Sequence, residues 1–200
     1  MKERRKDKLA QVKEQGLTYD DYVNMPDDGN RYELVDGQLE LMSPAPTITH
    51  QVLLNQINLR LSESCSSEYL ILFSPIDVVL STTEVRQPDI IMIHLARQAA
   101  YKNRSNIVEP PDLVVEIVSP SSLNRDKIAK RHAYAKFGVP EYWIVNPMDE
   151  SLEQYILKSD GTYDLQNVYI GDELVRSEKL TCVSFTMDDV MRKVQDISKM

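Results

Sequence analysis

Two acids stand inside runs of apolar residues. Asp89 follows Pro88 and leads Ile90-Ile91-Met92-Ile93, while Glu116 interrupts Val114-Val115-Glu116-Ile117-Val118. A carboxylate inside a buried strand costs several kcal/mol unless it is paired or binds a metal. Taken singly, each could be a strand-end acid that reaches water or accepts backbone hydrogen bonds. Together they lie 27 residues apart, from 89 to 116, room enough for two strands and a loop to bring both to one edge of a sheet. Hard divalent cations such as Mg2+ take oxygen ligands, usually one or two carboxylates plus waters and substrate phosphates. Such an ion polarises a phosphoryl oxygen and activates water for attack. Asp89 and Glu116 are therefore the candidate metal ligands, and phosphoryl chemistry is the reaction they suggest.

Glu33, in Tyr32-Glu33-Leu34-Val35, is a third candidate, although its pattern suits an exposed strand carboxylate slightly better. Glu40 reads as solvent-facing, and pattern alone does not decide Asp77. Phosphoryl transfer also wants a cation beside the acids, and the stretch after Glu116 supplies several. In Asn124-Arg125-Asp126-Lys127-Ile128-Ala129-Lys130-Arg131-His132-Ala133-Tyr134, residues Asp126, Lys130 and Tyr134 lie four apart and share one helix face. Lys127 and Arg131 form a neighbouring row. The bland reading is a solvated face with an acid–lysine pair. Its position directly after the Glu116 strand favours a functional one.

Other chemistries find no support. His50, His94 and His132 lack the shared spacing of a zinc site. Gly29, Gly37 and Gly138 are isolated, so no glycine-rich phosphate loop is present, and no Ser or Cys stands in a nucleophile turn. Cys65 and Cys182 are far apart and are expected to be separate reduced thiols in a cytoplasmic protein. The net charge of −8 argues against broad adhesion to nucleic acid through a basic surface. It does not exclude a nuclease, whose active-site acids belong to that total and whose metal reverses the local sign. No apolar run is long enough to span a bilayer, and the basic start, MKERRKDKLAQVKEQG, has no apolar segment behind it, so neither a membrane anchor nor a secretory signal is expected.

The elements that must position these residues follow from pattern. Residues 1–16 read as a charged helical extension and 17–200 as one domain. Thr18-Tyr19-Asp20-Asp21 caps a short helix to about Met25. Asp36-Gly37 joins strands 32–35 and 38–42 in a hairpin. A helix runs from Thr47 to about Glu63, followed by strands over 69–73, 76–80 and 88–93. Residues 97–110 read as an irregular loop. Strand 112–118, a helix from about 122 to 137 and strand 141–145 form a βαβ unit with parallel strands. A hairpin over 151–157 and 163–170 and a short terminal helix after Thr186 complete the chain.

Read in order, Arg31-Tyr32-Glu33-Leu34-Val35-Asp36-Gly37, Met42-Ser43-Pro44, His50, Pro88-Asp89-Ile90, Pro111 to Ser121 around Glu116, Asp126 to Lys130 with Tyr134, and Gly138 to Val145 resemble the putative restriction endonuclease family known as Uma-two. The resemblance covers about residues 17–157. It implies an α/β (α+β) restriction endonuclease-like fold, a mixed central sheet flanked by helices. It also implies a PD-(D/E)XK site built from Pro88-Asp89 and Glu116-Ile117-Val118. Val118 stands where that pattern has lysine, so the resemblance makes Lys130 the first substitute and Lys127 the second. Glu33 matches an acid contributed by an earlier element. Asp126, Lys127, Tyr134 and His50 are supporting residues. The implied activity is Mg2+- or Mn2+-dependent cleavage of DNA; the alternative is an inactive DNA- or protein-binding module that keeps the fold. A homodimer is expected, because cutting two antiparallel strands suits two-fold symmetry.

Overall fold

The computed structural model describes residues 16–42, 45–119, 122 and 125–198. The helix expected over residues 1–15 lies outside them. Helix α1, Tyr19–Val23, begins with the expected cap: Thr18 accepts the Asp21 N–H, and the Asp21 side chain reaches back to the Thr18 N–H. Strands β1, Tyr32–Val35, and β2, Gln38–Leu41, form the expected hairpin. Asp36 and Gly37 both take positive φ, 45° and 75°, the paired left-handed geometry of a tight two-residue turn. Gly37 is doubly constrained, because a Cβ there would sit 3.1 Å from Gly16 Cα and 3.2 Å from Leu17 N.

The remaining strands are β3, Tyr69–Phe73; β4, Asp77–Ser81; β5, Glu84–Arg86; β6, Ile90–His94; β7, Asn106–Ile107; β8, Leu113–Ile117; β9, Glu141–Asn146; β10, Ser151–Leu157; β11, Tyr163–Ile170; β12, Leu174–Val175; and β13, Phe185–Thr186. Six of them make the central sheet in the order β11-β10-β9-β8-β6-β3. It is mixed: β8 and β9 run parallel, as the βαβ reading requires, and the other neighbours run antiparallel. A second, five-stranded sheet has the order β2-β1-β5-β4-β7, and β12 pairs with β13.

Helix α2, Ile48–Cys65, and the terminal helix α4, Met187–Ser198, cover one face of the central sheet. Their core partners there include Ile90, Met92, Leu113, Val115, Ile117, Trp143 and Val145. The other face carries Ile91, Ile93, Val114, Val118, Tyr142 and Ile144 beneath Tyr134 and Val139. Strand alternation distributes these side chains, every second residue to each face.

Four expectations need correction. Glu84–Arg86, which lies between the strands expected over 76–80 and 88–93, is itself a fully buried strand, because its charges are paired inside the protein. Residues 97–110 are not one irregular loop: Leu95–Ala100 is a 3-10 helix, and Asn106–Ile107 pairs in parallel with β4. The helix after Glu116 is a π-helical stretch, Arg125–Lys130, continuing into α3, Arg131–Lys136. Cys65 and Cys182 are bonded to each other, with Cα atoms 5.1 Å apart across a sequence separation of 117, so they are not the reduced thiols expected. Distance along the chain conceals that α2 ends where the segment before β13 passes. Among the described residues no helix is long and apolar enough to cross a membrane.

Candidate metal and phosphodiester site

Strands β6 and β8 set the two acids. Ile90 pairs with Val115 and Ile91 with Val114. One more step of that register places Asp89 opposite Glu116, and the pleat turns both toward the face that carries Ile91 and Val114. Asp89 Oδ2 accepts the Ile117 N–H at 2.7 Å and lies 3.2 Å from His50 Nε2. His50 is held in the first turn of α2, where Thr47 caps its N–H.

Glu116 Oε1 accepts from Lys130 Nζ at 2.7 Å and from the Tyr134 hydroxyl at 2.8 Å. Lys130 Nζ also lies 3.5 Å from Glu33 Oε1 and 3.7 Å from Asp126 Oδ1. Glu33, Glu116, Asp126 and Lys130 are each at most 3% exposed. The shared face of Asp126, Lys130 and Tyr134 therefore points at Glu116, and the neighbouring row points elsewhere. Lys127 binds Glu153 on β10, and the Arg131 guanidinium sits 5.2 Å over the Tyr155 ring. Lys127, the second candidate for the displaced lysine, stands outside the group around Glu116. Val118 is buried among apolar side chains.

Glu33 is buried rather than exposed. It receives the Gln87 N–H at 2.9 Å and Arg86 Nη1 at 3.3 Å, while Arg86 Nη2 lies 2.6 Å from Glu84. Arg86 and Glu84 escaped the sequence reading. The signal was a pair of opposite charges two residues apart, beside a strand acid that would need a cation once buried. Glu40 is exposed as expected, and Asp77 is half-buried, accepting from Gln87 Nε2 at 2.8 Å.

Burial pushes the Glu116 carboxyl up to about 8; Lys130 opposes this, while Asp126, Asp89 and Glu33 add to it. Burial works against the Lys130 charge, but Glu116, Glu33 and Asp126 together hold its pKa above the usual lysine value. At His50 burial lowers the pKa and Asp89 outweighs it, leaving the ring easier to protonate than usual. The group is an excess of carboxylates around one ammonium, the composition that a divalent cation would relieve.

The donor set fits such an ion in one further respect. The described donors to Asp89 meet Oδ2 and those to Glu116 meet Oε1, so each acid has its other oxygen to offer. Among the described residues no three His, Cys, Asp or Glu side chains form a closed metal cage. An ion here would rest on two carboxylates and complete its shell with water and phosphate oxygens, the habit of Mg2+. Asp89, Asp126, Lys130 and His50 line a cleft of about 270 Å3 whose mouth carries Arg31 and Gln87.

A family model described as putative restriction endonuclease, Uma2, matches residues 19–188. The chain belongs to this family. The Uma2 fold is also seen in the crystal structure of a putative nuclease of DUF820 from Anabaena variabilis. It matches with a TM-score of 0.72 at 16% identity, over 88% of this chain and 98% of that one. That likeness establishes the restriction endonuclease-like fold of this Uma2 chain. The type IIG restriction endonuclease BpuSI aligns at a TM-score of 0.43 and 12% identity, over 79% of this chain and 18% of its own, too distant to carry an argument. Among curated proteins none matches.

Proposed function

We propose that this Uma2 chain is a metal-dependent endonuclease that hydrolyses DNA phosphodiester bonds. The observation that carries the reading is the meeting of Lys130 with Glu116 at 2.7 Å, on the sheet face to which Asp89 also turns. Asp89 and Glu116 are the residues that would hold Mg2+ or Mn2+, and when bound that ion supplies Lewis-acid polarisation of the phosphoryl group.

The chain's own groups do the rest. The Ile117 amide and His50 fix one oxygen of Asp89, so its other oxygen keeps one direction. Tyr134 does the same for Glu116. Lys130, held charged by its carboxylate neighbours, orients the attacking water and offsets negative charge as the phosphorane-like geometry develops. Glu33 keeps Lys130 from swinging out, and Arg86 neutralises Glu33 from behind. Family membership supports DNA as the substrate class. Two copies related by a two-fold axis would suit the two antiparallel strands of a duplex.

The deciding experiment is a supercoiled-plasmid cleavage assay with Mg2+, Mn2+ and chelator compared. Cutting that requires the metal and disappears in Glu116→Gln is the expected result. Cleavage by Glu116→Gln at the wild-type rate defeats the assignment. A chain that never cuts and takes up no Mn2+ in calorimetry is instead a binding module that has kept the fold.

A further inference from the structure

A cleft walled by Asp89 and Asp126 repels the polyanion it is proposed to cut. Neutralising backbone phosphates is what gives proteins affinity for DNA, and this chain carries a net charge of −8. Some cation must face the strand. Among the described residues lining the cleft, the basic side chains besides Arg31 are Lys130, which is 2% exposed and surrounded by Glu116, Glu33 and Asp126, and His50, which sits on Asp89. Neither has charge to spare for a second phosphate.

Arg31 differs. It is exposed at the cleft mouth, and its guanidinium donates to the neutral amide oxygen of Gln87. Gln87 is itself fixed: its side-chain amide donates to Asp77 at 2.8 Å and its backbone N–H to Glu33 at 2.9 Å. Asp77 feels the Arg31 charge but is engaged by Gln87 and Tyr22. The strand supplies the rest of the alignment. Arg31 precedes Glu33 by two residues, so the alternation that sends Glu33 inward to Lys130 sends Arg31 to the same side at the rim. The Arg31 carbonyl, bonded to the Met42 N–H at 2.8 Å, extends the hairpin ladder and anchors its backbone.

We infer that Arg31 is a substrate-binding residue that grips a DNA backbone phosphate beside the scissile one, with Gln87 as the positioning residue that aims it. A planar guanidinium meets a phosphate through two parallel hydrogen bonds, giving direction as well as charge. Such a contact reads no sequence: it sets the register of the strand over Asp89 and Glu116. The inference rests on the endonuclease reading for the word scissile, and on the cleft alone for the phosphate contact.

The test is fluorescence anisotropy of the full chain with a labelled DNA duplex in Ca2+, a hard cation suited to oxygen ligands, while cleavage is followed separately in Mn2+. Arg31→Ala should weaken binding about tenfold on every duplex and reduce the slope of log K against log salt by about 0.9. Arg31→Lys should restore part of the salt slope but less of the affinity, because lysine lacks the fork. Gln87→Ala should weaken binding less than Arg31→Ala. In Mn2+ the cleavage defect of Arg31→Ala should lie in KM, with Mn2+ uptake and melting temperature unchanged. Wild-type affinity and salt slope in Arg31→Ala overturn the inference, as does a wild-type chain that binds no DNA. If binding responds as expected and no metal supports cleavage, Arg31 keeps its role and the endonuclease reading alone falls.

Discussion

Glu116 and Glu141 are both buried carboxylates, on neighbouring parallel strands, and they face opposite sides of the sheet. Glu141 is 0% exposed and accepts from three neutral donors: Trp143 Nε1 at 2.7 Å, Gln154 Nε2 at 2.7 Å and Ser177 Oγ at 2.6 Å. Its alternation partners, Trp143 and Val145, belong to the apolar core under α2 and α4. Glu116 instead meets an ammonium and a phenol and lies close enough to Asp126, Asp89 and Glu33 to feel their charge. One carboxylate is satisfied where it sits. The other is surrounded by like charges that raise its energy, so a cation would lower it. Burial of an acid is thus no sign of function; what distinguishes the two is whether their neighbours are dipoles or other acids.

Substitution should separate the two sites cleanly. The largest effect is expected for Glu116→Gln, which should reduce plasmid cleavage to the chelator background while the melting temperature moves little, since Lys130 keeps Glu33 and Asp126. Next comes Lys130→Met, which should slow single-turnover cleavage about a hundredfold, whereas Lys127→Met, facing Glu153, should leave the rate alone. Equal losses in both lysine variants would erase the distinction between the two helix rows. Glu141→Gln should do the converse of Glu116→Gln. Calorimetric or denaturant unfolding should register a loss of about 1–3 kcal/mol, because one of its three donors must face an amide nitrogen, and cleavage per folded molecule should be intact.

The smallest expected effect is on pH dependence. Glu116 is raised to about 8 in the fold, against an ordinary 4.5. Without metal, the native chain therefore holds a proton that the unfolded chain has released, so stability falls as pH rises from about 5 through 8. His50, raised by Asp89, contributes with the same sign. Melting in chelator should show that decline, and Mn2+ should raise the melting temperature more at pH 8.5 than at 6.5. A metal effect independent of pH would argue that Glu116 is not a ligand.

Much of this was legible in the sequence because it rests on local rules. Asp36-Gly37 announces its hairpin, the apolar runs around Glu116 and Ile144 announce buried parallel strands, and spacing by four gathers Asp126, Lys130 and Tyr134. What could not be read depends on long-range pairing. Glu84–Arg86 looks like a turn until Glu33 arrives to pair with Arg86, and the allocation of β3 and β4 to different sheets has no local marker. The same holds for Lys127 against Lys130: three residues apart, they differ only in what the tertiary fold places opposite them. The donors that satisfy Glu141 are likewise partly remote, with Gln154 and Ser177 arriving from later segments.

The bond between Cys65 and Cys182 has a practical corollary. It closes a covalent ring that contains Asp89, Glu116, Asp126, Lys130 and Glu141, while Arg31, Glu33 and His50 lie outside it. Trypsin acting at the exposed Lys102 or Arg104 would open that ring without releasing a fragment. Such a nicked protein would run as intact on a non-reducing gel and as two bands after reduction.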